Sequence, residues 1–363
     1  MIQNSDIKFD CKFFKGDIPC LPNKLRGKIC ECDEYISINK RILIIKLGAA
    51  GDVIRSTPLI VKFRELYPDC YITWLTQSPE LLPIESIDEI LNDNYISREI
   101  IKGQKYVIAI NLDKDKDACI LLHQIKSTDK FGFTWNESEN HIEGLTTEAW
   151  NKIITGLFDK YSKENKKSYP EEIFDICGLK FNNEPYLINV NDKLVQKWSN
   201  LKEKAKGKKI IGLNTGCGSR WQTRLWPEEY WTELIKKLQQ ADLFPVILGG
   251  PYEHNQNQKY ADSTGAYYPG TFSLPEFIAI TANTDIVVTV VSMMMHIAIA
   301  LKKNLVLFNN IFNKNEFELY GRGVILEPTT GCDDFYGNKC TRERHCMKDI
   351  SVDSVFSSIK SFI

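Results

Sequence analysis

The sequence lacks a charge excess and any long apolar run. Its 46 Lys and Arg residues are balanced by 47 Asp and Glu residues, for a net charge of −1, whereas nucleic-acid-binding proteins usually carry a basic excess. No apolar run approaches the roughly 18 residues that span a bilayer, and the first residues, MIQNSDIKFD, lack the basic and apolar regions of a signal peptide. We therefore expect a cytoplasmic protein with no nucleic-acid partner and at most peripheral membrane contact.

The chain is long enough for two domains, since it has 363 residues, of which 43% are hydrophobic. Apolar, β-branched runs alternate with amphipathic helical segments, and this alternation predicts parallel sheets covered by helices. The predicted strands lie at residues 41–48, 71–76, 106–112, 209–216, 244–250, 286–291 and 304–308. We predict a cysteine-rich N-terminal segment at 1–40, α/β domains at 41–190 and 206–350, and a final helix at 351–363 that returns to the first domain.

The turn after the first strand carries a carboxylate at a helix start. It reads KLGAAGDVIRSTP, in which Gly48 and Gly51 allow close backbone approach and Asp52 lies at the beginning of the next helix. Ligands of open parallel sheets bind beyond the carboxyl ends of the strands. Asp52 is therefore either a helix cap or a catalytic base.

The turn after the first strand of the second domain is suited to phosphate oxygens. It reads NTGCGSRWQTRLWP and combines small residues, hydroxyls and two arginines before a helix that opens with Pro227. Neither this turn nor the first one matches the dinucleotide fingerprint GxGxxG or the phosphate loop GxxxxGK[ST]. A plain surface loop is the alternative.

Two later segments also follow predicted strands. Glu253, in GGPYEH, is suited to accept hydrogen bonds from a ribose, although an exposed acid after a Gly-Pro turn is common. His296 follows three methionines in VVSMMMHIAIA and is either a buried packing residue or a functional one.

Taken together and in order, these motifs resemble glycosyltransferase family 9, the heptosyltransferases of bacterial lipopolysaccharide assembly. The resemblance covers roughly residues 41 to 360 and rests on KLGAAGDVIRSTPLI, NTGCGSRWQTRLWPEEYW, LGGPYE and MHIAIALKKNLVLFN. It implies a GT-B fold of two Rossmann-like domains, a nucleotide-sugar donor such as ADP-heptose, and inverting transfer without a catalytic metal or other cofactor. The acceptor is then a glycan, a lipid-linked glycan at the inner membrane, or a protein.

The resemblance also assigns roles to individual residues. It makes Asp52 the general base that takes the proton of the acceptor hydroxyl. The donor and its phosphates are expected to contact a set of residues in the four motifs: Gly51, Thr215, Gly216, Arg224 with Arg220 in reserve, Glu253, Ser292, Met293 and His296.

One departure from the family pattern leaves the donor open. Val291 stands where family members often carry an acid, and Met293 stands where a glycine follows. An apolar residue cannot bind a sugar hydroxyl in the same way, so the donor sugar and its base are not fixed by the resemblance. A non-catalytic nucleotide-sugar-binding module and a sugar-nucleotide epimerase on the same scaffold are the alternatives to a transferase.

Eleven cysteines are many for a cytosolic chain. Four of them, Cys11, Cys20, Cys30 and Cys32, lie in a segment whose glycines and prolines build little core. They lack paired CxxC spacing, but a structural zinc or iron would stabilise such a segment, with reduced thiols and disulfides as alternatives.

A second group of cysteines lies near the end of the chain. Cys332, Cys340 and Cys346 either form a site of their own with His345 or complete the first one. The N-terminal segment and residues 309–323 resemble the corresponding segments of a subset of family 9 proteins. They also resemble those of a branch of protein heptosyltransferases that carries an iron held by cysteines.

Overall fold

A computed structural model describes residues 3–30 and 32–363 of the chain. The helices are α1 Leu21–Arg26, α2 Ala50–Ser56, α3 Pro58–Leu66, α4 Tyr95–Gly103, α5 Lys116–Gln124, α6 Thr147–Leu157, α7 Asp159–Glu164, α8 Tyr169–Ile176, α9 Asp192–Lys197, α10 Asn200–Ala205, α11 Glu228–Gln240, α12 His254–Thr264, α13 Leu274–Ala282, α14 Met293–Ala300 and α15 Val352–Lys360. The strands are β1 Arg41–Ile45, β2 Tyr71–Thr76, β3 Glu89–Asn92, β4 Lys105–Asn111, β5 Lys126–Asn136, β6 His141–Gly144, β7 Ile210–Asn214, β8 Phe244–Leu248, β9 Ile286–Val290, β10 Asn304–Phe308 and β11 Gly323–Leu326. In the described part of the chain, none of these helices has the length and apolarity needed to cross a membrane.

The first compact unit contains a six-stranded sheet in the order β3-β2-β1-β4-β5-β6, parallel except for the β5–β6 pair. It comprises the residues up to Leu47 together with Leu59–Pro79 and Ile84–Trp150. The central strand β1 is apolar along most of its length, since Ile42 to Ile45 are fully buried. A strand buried on both faces is typical of a parallel sheet covered by helices.

The second compact unit contains a five-stranded, all-parallel sheet in the order β11-β10-β9-β7-β8. It comprises Gly48–Pro58, Glu80–Pro83 and Asn151–Ile363. Alternate residues of β9 enter two different apolar clusters, with Val288 in one and Val287 in the other. The sheet therefore has a core on each face, as the predicted α/β pattern requires.

The division into units differs from the predicted domain boundaries. The turn after β1 and α2 belongs to the second unit, because α2 packs against α14 there. The final helix α15, expected to return to the first domain, packs against α11 and β10, with Val355 and Ile359 fully buried. Its apolar stripe completes the core on one face of the second sheet.

A close backbone contact inside the first sheet generates a stability prediction. Gly132 of β5 has φ +91°, and a Cβ atom there would lie 1.8 Å from the carbonyl oxygen of Asn111. We expect Gly132→Ala to lower the free energy of unfolding by about 2–4 kcal/mol, because the strand pair must separate and the backbone is strained. Urea denaturation measures this. Gly103→Ala is the control, since nothing lies within 4 Å of its Cβ position, and an equal effect in both variants would contradict the prediction.

Candidate active site

The candidate site begins with the contact between α2 and α14. A Cβ atom on Gly51 would lie 2.6 Å from Cδ2 of His296, so only glycine allows the two helices to approach this closely. His296 is 7% exposed and lies on the second turn of α14. Two residues that the sequence assigned to the donor site, 245 positions apart, are therefore neighbours in the second unit.

Asp52 is ion-paired rather than acting as a cap. The N-cap of α2 is Ala49, and Asp52 lies in the first turn, where its Oδ1 is 2.9 Å from Nη2 of Arg55. The Asp52 side chain is 34% exposed, whereas that of Arg55 is 13% exposed. The carboxylate is thus accessible from solvent and oriented by a buried cation.

Arg55 is surrounded by anionic and aromatic groups. Its guanidinium carbon lies 3.6 Å from the ring centroid of Tyr169, and Nη1 is 3.8 Å from a carboxylate oxygen of Glu316. Burial alone would lower the pKa of Arg55, but Asp52, Tyr169 and Glu316 together raise it above its ordinary value. The guanidinium therefore stays charged at any working pH and holds the Asp52 carboxylate as a charge partner.

Local sequence signals position the aromatic partner. Tyr169 opens α8 directly after the N-cap Ser168, whose hydroxyl accepts a hydrogen bond from the Glu171 N–H while the Glu171 carboxylate accepts one from the Ser168 N–H. This capping box fixes the first turn of α8. It thereby also positions the Tyr169 ring, against whose face the Arg55 guanidinium lies.

His296 is neutral in the folded protein. Burial lowers its pKa to about 3, and the neighbouring Arg55 charge acts in the same direction. Its ring stacks on Tyr186 with centroids 6.2 Å apart, and its Nδ1 has no hydrogen-bond partner among the described residues. A neutral imidazole with an unpartnered buried nitrogen beside Asp52 suits a polar ligand group that enters the site.

A cavity of about 350 Å³ lies beyond the ends of the strands of the second sheet. Its walls come from the turns after β7, β8 and β9 and from the start of α13. The lining residues are Asn214, Gly216, Cys217, Gly218, Gly249, Gly250, Pro251, Tyr252, Glu253, Phe272, Leu274, Phe277, Ser292, Met293 and Met294. The cavity unites four of the predicted donor-site residues, namely Gly216, Glu253, Ser292 and Met293.

Glu253 closes one side of the cavity. Its carboxylate accepts hydrogen bonds from the N–H groups of Gly250, at 2.9 Å, and Gly218, at 3.3 Å. A Cβ atom on Gly216 would lie 2.1 Å from Cγ of Glu253, so the turn after β7 needs glycine at that position. The acid is thus oriented by two turns of the cavity wall.

Arg224 lies under the cavity wall with most of its N–H groups committed. It is 7% exposed and donates to the carbonyl oxygens of Trp221, Cys217, Arg220 and Val291. It therefore holds the turn after β7 and the end of β9 in place. The side chain is buried beneath the loop that was predicted to hold phosphate, and it acts on that loop through its backbone.

Two other predicted phosphate ligands take different positions. Thr215 is buried, and its hydroxyl donates to Oδ1 of Asn257. Arg220 is exposed, with its guanidinium 4.0 Å from the ring centroid of Trp221. Arg220 is therefore the more accessible of the two arginines.

Val291, the departure from the family pattern, belongs to the core. Its side chain is 8% exposed and packs in one of the two apolar clusters of the second sheet. Its neighbours Ser292 and Met293 are the residues that reach the cavity. Ser292 and Met293 thus bring the N-terminus of α14 to this wall of the cavity, where the Met295 N–H donates to the Ser292 carbonyl oxygen.

Arg55, Tyr169, Tyr186 and Glu316 were missed by the sequence analysis. Arg55 lay inside the quoted first turn, and Glu316 lay inside the segment 309–323 that resembles a family 9 subset. The positions of Arg55 and Glu316 inside these two segments were the sequence signals that could have identified them. Tyr169 and Tyr186 lie in regions without a recognisable motif.

The N-terminal cysteines share a cavity without forming a tight cluster. Cys11, Cys20, Cys30 and Cys32 all line a cavity of about 540 Å³ in the first unit. No three of their sulfur atoms lie within 4.8 Å of one another in the part of the chain that the structure describes. All eleven cysteines are free thiols, which contradicts the disulfide alternative. A metal on these four residues stays a prediction.

The family model of glycosyltransferase family 9 (heptosyltransferase) matches residues 97–320, more than half of the chain. The chain belongs to glycosyltransferase family 9. It is therefore a glycosyltransferase. A comparison with curated protein sequences gives no significant match.

Solved structures of several glycosyltransferases share the fold of this family 9 enzyme. A family 9 glycosyltransferase from Veillonella parvula is 19% identical, with a TM-score of 0.68 over 90% of this chain and 97% of that one. E. coli heptosyltransferase WaaC with ADP-2-deoxy-2-fluoro heptose is 15% identical, with a TM-score of 0.60 over 89% and 100%. The iron-containing dodecameric glycosyltransferase TibC from enterotoxigenic E. coli is 12% identical, with a TM-score of 0.54 over 90% and 76%. The two parallel-sheet units match these structures, which confirms the predicted GT-B-like fold class.

The burial of His296 generates a pH prediction for this family 9 enzyme. Its folded pKa is about 3, and the unfolded value is about 6.5, so below pH 6.5 the unfolded chain binds a proton that the folded chain does not. Stability then falls as the pH drops from about 6.5 towards 3, by about 2 kcal/mol at pH 5. Urea denaturation at pH 7 and pH 5 should show a smaller loss for His296→Gln than for the wild type.

The matched control is His123→Gln, because the His123 side chain is 40% exposed. This variant should lose stability on acidification as the wild type does. Equal losses in His296→Gln and the wild type would show that His296 is not held neutral.

Proposed function

We propose that this glycosyltransferase transfers a heptosyl group from ADP-heptose, with inversion, onto a lipopolysaccharide core or a related bacterial surface glycan, and that Asp52 is the general base. The observation that supports it most is the arrangement along α14. The first turn of this helix lines the 350 Å³ cavity, and its next turn contacts the segment that carries Asp52. Donor binding and proton transfer would then be coupled through one helix.

The cavity suits a nucleoside diphosphate. Glu253 would accept hydrogen bonds from the ribose hydroxyls, and Phe272, Leu274 and Phe277 give an apolar wall for a base. The N-terminus of α14, at the positive end of the helix dipole, would bind the diphosphate. The names of the similar E. coli structures, which include ADP and its heptose derivatives, favour adenine as the base.

The proposed reaction is a single displacement. The acceptor hydroxyl gives its proton to the Asp52 carboxylate while its oxygen forms a bond to the anomeric carbon. The bond from that carbon to the β-phosphate oxygen breaks, and its electron pair leaves with ADP. Arg55 contributes by orienting the carboxylate, since a base misplaced by about 1 Å can cost on the order of 100-fold in rate.

Asp52→Asn tests the base. We expect transfer to fall by a factor of about 100 to 10,000, because an amide cannot accept the proton, whereas ADP affinity should stay within about twofold. Product formation from ADP-heptose and a heptose-deficient core acceptor measures the rate, and calorimetry measures ADP binding. Asp242→Asn is the control, because this side chain is 81% exposed. Transfer at the normal rate in Asp52→Asn would eliminate Asp52 as the base.

Nucleotide titration tests the donor and the role of Arg224. Calorimetry with ADP, UDP, GDP and CMP should show selective ADP binding. Arg224→Ala should weaken ADP binding at least about tenfold, since the carbonyl oxygens that Arg224 holds would lose their donors and the cavity wall would loosen. Arg220→Ala, on the exposed neighbour, should have a smaller effect. Selective binding of UDP or GDP would mean that the donor carries uracil or guanine in place of adenine. Unchanged ADP affinity in Arg224→Ala would contradict the role of Arg224 in supporting the cavity wall.

A further inference from the structure

An exposed tyrosine belongs to the wall of the 350 Å³ cavity. Tyr252 lines this cavity and is 83% exposed, a larger fraction than any other large hydrophobic side chain in the part of the chain that the structure describes. A packed aromatic side chain buries about 150–250 Å² of surface. Most of this area of Tyr252 is in water, so a ligand in the cavity could cover it.

Tyr252 also differs from the tyrosines that follow it in the second unit. Tyr267 stacks on Phe244 with ring centroids 6.2 Å apart, and the Tyr268 hydroxyl lies 3.0 Å from Nδ1 of His254. These contacts commit both rings to the packing of the unit. Among the described residues, no aromatic ring or cation packs against the ring of Tyr252, which leaves its faces available to a ligand.

The backbone at Tyr252 is fixed although the side chain is exposed. Tyr252 is the middle residue of a short 3₁₀ helix, Pro251–Glu253. The Glu253 N–H donates to the Gly250 carbonyl oxygen at 3.2 Å, and the Gly250 N–H donates back to the Glu253 carboxylate at 2.9 Å. A tyrosine has only two χ angles, so ordering its ring against a ligand costs little conformational entropy.

A second apolar wall of the same cavity is held by packing. Phe272 contacts Trp198 edge to face, with ring centroids 4.8 Å apart. Leu274 and Phe277 pack against one of the two apolar clusters of the second sheet. The cavity therefore has a fixed apolar wall at the start of α13 and an exposed aromatic ring on the turn after β8.

We propose that Tyr252 stacks on the base of the nucleotide donor, with the base between its ring and the apolar wall at the start of α13. This inference rests on the proposed function, which places a nucleoside diphosphate in the cavity. Glu253, the next residue, would accept hydrogen bonds from the ribose, and the base is bonded directly to the ribose. Two adjacent residues would thus contact two adjacent parts of the ligand. Stacking needs only the π-face that every base has, so Tyr252 strengthens nucleotide binding without selecting adenine.

Calorimetry with the full chain tests this contact. Tyr252→Ala should raise the Kd for ADP about tenfold, a loss typical of removing one base–aromatic stack. Tyr252→Phe keeps the ring and should stay within about twofold of the wild type. Inorganic pyrophosphate has no base, so its affinity should be the same in Tyr252→Ala and the wild type. Tyr95→Ala is the matched control and should leave ADP binding unchanged, because Tyr95 is 78% exposed but lies in the first unit.

Transfer kinetics give a second measurement. The base is remote from the bond that breaks, so its stacking contact is the same in the ground state and the transition state. Tyr252→Ala should therefore raise the KM for the donor about tenfold and change kcat by less than about twofold. A fall in kcat without a change in KM would contradict a base contact.

The outcomes separate the stacking contact from the proposed function. Unchanged ADP affinity in Tyr252→Ala, or an equal loss of pyrophosphate affinity, would overturn the contact. Selective ADP binding by the wild type would then leave the proposed function standing. Selective binding of UDP or GDP would replace the proposed donor, and the same variants compared with that nucleotide would still decide the contact. A wild-type chain that bound none of the nucleotides would overturn both.

Discussion

The absence of a side chain at Gly51 allows the rest of the candidate site to form. With 2.6 Å between a hypothetical Cβ atom and His296, any other residue would push α2 away from α14. Asp52 directly follows Gly51 and Arg55 lies one turn further along α2, so the close contact places both beside α14, whose first turn supplies a wall of the 350 Å³ cavity. The segment that carries the carboxylate therefore belongs structurally to the unit with the cavity, although it follows a strand of the other sheet.

The buried Arg55 guanidinium beside that contact needs neighbouring groups that compensate for its loss of hydration. Arg55 meets Asp52, the face of Tyr169 and the Glu316 carboxylate, so its desolvation is offset from three directions. The same charge makes a protonated His296 unfavourable, and the ring is accordingly neutral. The site thus contains one ion-paired carboxylate and one neutral imidazole on two helices in contact.

The sequence predicted the parts of the site that lie directly after buried strands. Gly216, Glu253 and Ser292 follow β7, β8 and β9, and the carboxyl ends of parallel strands share an edge, so their proximity follows from the fold class. Most strands of the two sheets were predicted for the same reason, since both faces are apolar. The strands β3, β5, β6 and β11 were not predicted, because they are only partly buried and lack a continuous apolar run of the length seen in the others. The position of Tyr169 under Arg55 depends on tertiary packing across more than a hundred residues, which local patterns do not encode.

Arg224 makes contacts other than those that its sequence motif predicts. A basic residue before Trp-Pro suggests a guanidinium aimed at phosphate, yet this one donates to carbonyl oxygens of the loop and of Val291, directly after β9. These bonds fix the orientation of the Cys217 and Arg220 peptide groups, and the N–H group of Gly218 in the same turn donates to the Glu253 carboxylate. The arginine therefore supports the cavity wall by fixing the orientation of the peptide groups of that turn.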